Sequence, residues 1–277
     1  PTSILQGRTN KAKIADVKEV NRVVRQAKGD ADLTLLISSI KPEEMAVVTY
    51  GGASLANADK DGSQAGHLVM MSEKRVLEGV AAKTSMMSWR SHRVRRIVNS
   101  APAAEALGMS EGMAQGDWIR ALWCEAAWGM GLRGWRKGEP VGVPLITVTD
   151  SKGNYDHLHN ETTGPSEDRR SAIELAIIRE DLSRPDCHLR WVDGKSQVAD
   201  ALTKLRGDVD LIKVTCRRGT IYLADVPELL AMKKQEHSER LQRLGRGGPA
   251  GEKVQTGRFA AKKFGESVKQ NVPAATS

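Results

Sequence analysis

The order of strand-like and helix-like segments is the feature of this sequence that most limits its possible folds. Strand-like runs come first, a long helical pattern beginning near Pro102 follows, and strands then alternate with helices. The strand-like runs are 33–40, 46–50, 66–71, 84–91, 145–149 and 189–192, and the later helical patterns are 167–182 and 196–204. Three consecutive strands from 46–50 to 84–91 favour an antiparallel meander, whereas strands that alternate with helices favour parallel pairing. We therefore predict an α/β fold with a mixed five-stranded sheet, three antiparallel strands followed by parallel ones, flanked by helices.

Segments outside this pattern are predicted to form flanking structure. Apolar residues recur at helical spacing from Ile14 to Ala27, which predicts an amphipathic helix that needs a partner surface. Glycines at 108, 112 and 116 are expected to weaken or kink the long helix. Beyond residue 204, the sequence favours a hairpin at 213–225 and a charged helix at 226–244, with a disordered basic tail at 245–277.

Composition limits the partners and the cellular setting. Lys and Arg number 42 against 34 Asp and Glu, a net charge of +8 that suits a polyanionic partner but also describes many other proteins. The three cysteines form no CxxC pair, which favours a reducing setting, cytoplasmic or nuclear. No apolar run approaches the length needed to cross a bilayer, so no membrane partner is expected. The absence of a first Met suggests a piece of a longer protein.

Three acidic residues, Glu105, Asp150 and Asp200, stand where strand-like or turn-like runs meet helical ones, 45 and 50 residues apart. Hydrolysis of a phosphodiester can use two magnesium ions, which prefer carboxylate oxygens as ligands. The three acids are therefore candidate ligands of a divalent metal. The alternative is that each one is a helix cap or a charge in a first helical turn.

Five short motifs carry a resemblance to a known family. They are Ser-Gln-Ala-Gly at 63–66, Ser-Trp-Arg-Ser-His-Arg at 88–93, Ala-Ala-Glu-Ala-Leu at 103–107, Val-Thr-Asp-Ser-Lys at 148–152, and Gln-Val-Ala-Asp-Ala-Leu-Thr-Lys at 197–204. Together they resemble the ribonuclease H domain of copia-type LTR retrotransposon polyproteins. The preceding helix, with Leu-Gln-Gly at 5–7 and Asn-Arg-Val-Val at 21–24, resembles the end of the reverse transcriptase region. The implied organisation is a reverse transcriptase remnant at 1–43, a ribonuclease H-like domain at 44–206, an extra hairpin and helix at 207–244, and the tail at 245–277.

The resemblance implies a ribonuclease H fold and a four-acid site that cuts the RNA strand of an RNA/DNA hybrid with Mg²⁺ or Mn²⁺. Glu105 matches the helix glutamate of the family, Asp150 the aspartate that ends the fourth strand, and Asp200 the last aspartate. The aspartate that family members carry at the end of the first strand, between the two metals, is replaced here by Gly52. Because glycine supplies no carboxylate, we expect a weakened metal site and impaired cleavage.

A basic cluster follows the third strand and consists of Arg90, His92, Arg93, Arg95 and Arg96. It could contact the phosphates of a nucleic acid, or it could be a solvated turn with no particular role. The resemblance further implies the reverse transcriptase portion of the same polyprotein as a partner.

Two other functions compete with the nuclease. One is a decayed, non-catalytic domain that binds nucleic acid or is structural. The other is a different reaction on the same fold, since integrases, resolvases and exonucleases share related folds and a fold does not determine function.

Overall fold

The computed structural model describes residues 2–58, 62–130, 142–159, 169–204, 207–224 and 227. Apart from Pro227, the helix predicted at 226–244 and the tail at 245–277 lie outside the described residues. Among the residues described, no helix combines the length and the apolar character that crossing a membrane would require.

A single mixed sheet forms the centre of the described structure. Its strands are β1 (Met45–Ala58), β2 (Gly62–Glu73), β3 (Ala82–Arg93), β4 (Leu145–Thr149), β5 (Cys187–Trp191) and β6 (Thr220–Ile221). The strand order is β5-β4-β1-β2-β3-β6. The antiparallel pairs are β1 with β2, β2 with β3 and β3 with β6. The parallel pairs are β1 with β4 and β4 with β5. The predicted mixed sheet is confirmed, with a sixth short strand added beside β3.

Helices cover both faces of this sheet. The described helices are α1 (Thr2–Gly7), α2 (Ile14–Gly29), α3 (Ala101–Trp128), α4 (Lys152–His159), α5 (Arg169–Leu182), α6 (Asp200–Thr203) and α7 (Asp210–Arg218), of which α2 has no buried residue. Because strand residues point alternately to the two faces, Val47 of β1 packs in one cluster with Cys124 of α3, while its neighbour Val48 packs in another with Cys216 of α7. The result is a sheet buried between two helical layers.

The long helix α3 runs without interruption across β1. Ser100 caps its first turn by accepting a hydrogen bond from the Ala103 backbone N–H at 3.3 Å. The glycines expected to kink it instead face the sheet: a Cβ on Gly108 would lie 2.4 Å from the Gly52 carbonyl oxygen, and one on Gly116 would lie 2.3 Å from Thr49 Cγ2. The predicted weakening was therefore wrong about their role, because the absent side chains let the helix approach the strand closely.

Two predicted β elements are absent from the described residues. Residues 33–40 form no strand, and instead Ser38 donates its backbone N–H to Ser85 Oγ and its hydroxyl to the Thr84 carbonyl. The hairpin predicted at 213–225 is replaced by helix α7, which ends at Gly219 with a positive φ of 56°. After that turn only Thr220 and Ile221 pair with β3.

Candidate functional site

The candidate acids come from three different elements at one edge of the sheet. Strands β1 and β4 are parallel neighbours whose described pairing ends at Tyr50 and Val148. Just past this pairing lie residues 51–53, in the middle of β1, and Asp150, which directly follows β4. Helix α3 brings Glu105 to Ala53, and Asp200 is the first residue of α6.

Glu105 is tied to the backbone of the first strand. Its Oε2 accepts a hydrogen bond from the Ala53 N–H at 3.0 Å. Burial raises the pKa of the Glu105 carboxyl to about 8, and the negative charges of Asp150 and Asp200 add to the rise. At neutral pH this carboxyl is therefore mostly protonated in the folded chain.

Asp150 is held from both its side chain and its main chain. Its Oδ1 accepts a hydrogen bond from Gln197 Nε2 at 3.3 Å, and its carbonyl accepts one from the Trp191 indole at 3.1 Å. Burial raises the pKa of the Asp150 carboxyl, the Gln197 hydrogen bond opposes that rise, and the charge of Asp200 adds to it. The electrostatic coupling of all three acids indicates that they share one site.

Asp200 lies at the more open side of the site, with 32% of its side chain exposed. Its Oδ2 forms an ion pair with the ammonium group of Lys204, one helical turn further on. Lys204 thus supplies positive charge beside the acids from within the chain.

Gly52 lies directly beside the Glu105 carboxylate. A Cβ built on Gly52 would be 2.9 Å from Glu105 Oε2 and 4.0 Å from Gln197 Nε2. A side chain at position 52 would therefore project between these two groups, and Glu105 extends into the space that its Cβ would need. The position matched to the missing aspartate therefore faces Glu105 and Gln197.

The three carboxylates do not converge on one metal position in the described structure. Within the described ranges, no group of three His, Cys, Asp or Glu side chains is arranged to hold a metal ion. Each candidate carboxylate accepts from one protein donor, namely the Ala53 N–H, the Gln197 amide or the Lys204 ammonium, which leaves further lone pairs on each carboxylate. The residue types suit Mg²⁺ or Mn²⁺, but the side chains would have to turn toward a common point to hold it, and the metal stays a prediction.

The predicted basic cluster is divided between different surfaces. His92 Nε2 lies 3.0 Å from Glu111 Oε2 of α3, so His92 faces that helix. Neighbouring Arg93 points to the opposite face, where its guanidinium lies against Gly62. Arg96 forms an ion pair with Glu174 of α5, while Arg90 and Arg95 are exposed. The five side chains therefore do not form one continuous patch, and their contact with nucleic acid stays a prediction.

Gln197 and Lys204 contribute to the site although the sequence assigned no role to either. Both belong to the motif at 197–204 that carried part of the resemblance. Their position at the two ends of that motif, around Asp200, is a signal that could have indicated them.

The strand order, the strand directions and the helices on both faces are those of the ribonuclease H-like α/β fold predicted from the sequence. No protein-family model matches the sequence, and no curated protein matches it.

Similar solved structures include the N-terminal RNase H domain of a Mycobacterium tuberculosis protein, at 12% identity and a TM-score of 0.32, covering 62% of this chain and 97% of that one. LC11-RNase H1, isolated from compost, is 13% identical with a TM-score of 0.35, covering 58% of this chain and 92% of that one. The prototype foamy virus RNase H domain is 15% identical with a TM-score of 0.29, covering 55% and 79%. At these low scores, the fold assignment depends on the sheet topology.

Proposed function

We propose that this chain is the ribonuclease H-like domain of a copia-type retroelement polyprotein, and that its metal-dependent hydrolysis of RNA in RNA/DNA hybrids is impaired by Gly52. The observation that carries the proposal is the position of Gly52, whose missing side chain would project toward Glu105 and Gln197. Glu105, Asp150 and Asp200 are the proposed remaining ligands of Mg²⁺ or Mn²⁺.

The proposed partners follow from the same assignment. An RNA/DNA hybrid is the proposed substrate, and the net charge of +8 is consistent with a polyanion. The reverse transcriptase portion of the polyprotein is a proposed partner of α2, whose residues Ile14, Val17 and Val20 are exposed. A reducing cytoplasmic or nuclear setting is proposed because all three cysteines are free.

A labelled RNA/DNA hybrid tests the proposal directly. The unaltered chain and the Gly52→Asp variant would be assayed with Mg²⁺ and with Mn²⁺. We expect cleavage by the Gly52→Asp variant to exceed that of the unaltered chain by at least about a hundredfold, which corresponds to roughly 3 kcal/mol of transition-state stabilisation. The new Cβ requires the Glu105 carboxylate to shift, which the flexible end of that side chain permits.

Two further variants identify the cause of any gain. Gly52→Asn adds a side chain of similar size and displaces Glu105 equally but adds no charge, so it should not gain activity. Asp150→Asn in the Gly52→Asp background should abolish cleavage. Robust cleavage by the unaltered chain that Asp150→Asn removes would contradict the proposed impairment.

A non-catalytic domain that binds nucleic acid or is structural is the second candidate. It is favoured by the arrangement of the acids, because no three of the described His, Cys, Asp or Glu side chains are placed to hold a metal ion. This candidate predicts no cleavage by either the unaltered chain or the Gly52→Asp variant. Salt-dependent hybrid binding by both proteins would then support a binding role, and no binding would support a structural one.

A further inference from the structure

Gln197 is a buried amide at the centre of the candidate site. It follows the short 3-10 turn Gly194–Ser196 and precedes α6, and only 4% of the residue is exposed. Buried amide groups need hydrogen-bond partners, because an unsatisfied donor or acceptor costs free energy. The partners of Gln197 therefore show what its side chain holds in place.

Those partners lie on three separate segments. Gln197 Nε2 donates to Asp150 Oδ1 at 3.3 Å and makes a long contact of 3.5 Å to the Gly51 carbonyl oxygen. Its Oε1 accepts a hydrogen bond from the Ala199 N–H at 3.4 Å. One amide thus connects the end of β4, the middle of β1 at Gly51 and the turn before α6.

We propose that Gln197 is a positioning residue, whose amide donor holds the Asp150 carboxylate toward Glu105 and residues 51–52 of β1. The catalytic meaning of this role rests on the proposed ribonuclease function, whereas the hydrogen bond between Gln197 and Asp150 is a property of the folded chain. Gln197 orients Asp150 through this hydrogen bond. The competing explanation is that Gln197 only stabilises its own turn through the Ala199 N–H.

A double-mutant cycle in the full chain measures the energetic coupling between Gln197 and Asp150 without an activity assay. Gln197→Met keeps the side-chain length and removes the amide, and Asp150→Ala removes its partner. The unfolding equilibrium constants of the four proteins would be measured in urea with EDTA present. We expect a coupling of about tenfold, the order found for hydrogen bonds to a charged group. Additivity within about twofold would overturn the proposal.

The Asp150→Ala background separates the two roles of the side chain. If Gln197 positions Asp150, Gln197→Met should cost about tenfold less in the unfolding equilibrium constant in that background than in the unaltered chain. If Gln197 only stabilises its own turn through the Ala199 N–H, Gln197→Met should cost the same in both backgrounds. A cycle of Gln197→Met with Glu111→Ala serves as the control. Glu111 lies on α3 and pairs with His92, so the effects of these two substitutions on stability should be additive.

The functional part of the test uses the Gly52→Asp background. Adding Gln197→Met there should lower kcat for hybrid cleavage by at least about tenfold and leave KM within about twofold, because the loss affects an acid that acts in the transition state. Unchanged kcat would overturn the positioning role. Failure of the Gly52→Asp variant itself to cleave would contradict the proposed function. The double-mutant cycle of stability would still show whether Gln197 holds Asp150.

Discussion

The raised pKa of Glu105 predicts that this acid destabilises the folded protein at neutral and alkaline pH. In the unfolded chain the carboxyl would lose its proton near its ordinary pKa of 4.5, whereas in the folded chain it keeps the proton up to about 8. Between these values the folded state binds more protons than the unfolded state, so stability falls as pH rises. We therefore expect Glu105→Gln to stabilise the protein above pH 8 and to have little effect at pH 4.5.

The magnitude follows from the two pKa values. Their difference corresponds to a ceiling of roughly 5 kcal/mol, at about 1.4 kcal/mol for each pH unit. Solvent at the partly exposed carboxyl and the coupling to Asp150 reduce the effect below this ceiling. We therefore expect Glu105→Gln to raise the free energy of unfolding above pH 8 by about 2–3 kcal/mol. The glutamine can still accept the hydrogen bond from the Ala53 N–H, so the substitution removes the charge and keeps the contact.

Urea unfolding of both proteins at pH 4.5, 6.5 and 8.5, with EDTA present, measures the effect. The difference in the free energy of unfolding between the variant and the unaltered protein is plotted against pH, because the titration of the other groups cancels in that difference. Glu125→Gln, an exposed position on the same helix, is the control and should give a flat difference. A difference that does not grow with pH, or a Glu105→Gln variant less stable at pH 8.5, would refute the reasoning.

Three further predictions concern the packing around the site. Burial lowers the pKa of His67 from 6.5 to about 4. The free energy of unfolding should therefore fall by up to roughly 3 kcal/mol as pH drops through this range, and His67→Leu should remove that dependence in urea unfolding. Gly116→Val should cost about 2–4 kcal/mol because its Cβ would lie 2.3 Å from Thr49 Cγ2, whereas Val at exposed Ala114 should cost under about 1 kcal/mol; thermal unfolding distinguishes them. Arg120→Met should cost about 3–5 kcal/mol in urea unfolding because it leaves the partly buried Asp117 and Asp186 without this cation.

The parts of the fold that sequence could predict are those with a strong local pattern. The strand at 145–149 is buried throughout and was found as predicted, as was the helix start at Ser100 followed by Pro102. The amphipathic helix α2 also matches its apolar spacing. In each case the signal lies within the segment itself.

The misread segments depend on what lies next to them. Residues 33–40 have the composition of a strand, but their hydrogen-bond partners are side chains and the end of α7. The glycines of α3 have a low helix propensity, and only their contact with β1 explains why they stand there. Likewise the donors to Glu105 and Asp150 arise from tertiary contacts that sequence spacing does not show, whereas the Lys204 donor to Asp200 lies only one helical turn further along the sequence.

The backbone contact between Gly108 and Gly52 means that α3 is located against β1 by contacts of the chain itself. A Cβ on Gly108 would meet the Gly52 carbonyl oxygen at 2.4 Å, so main chain lies on main chain at the turn of α3 that carries Glu105. Proteins whose folding energy comes from a bound metal unfold when a chelator removes it. Here the helix that carries Glu105 is held by its contact with the strand, so we expect the framework of the site to assemble in the presence of a chelator. A single acquired carboxylate at position 52 would enter a scaffold that is already in place.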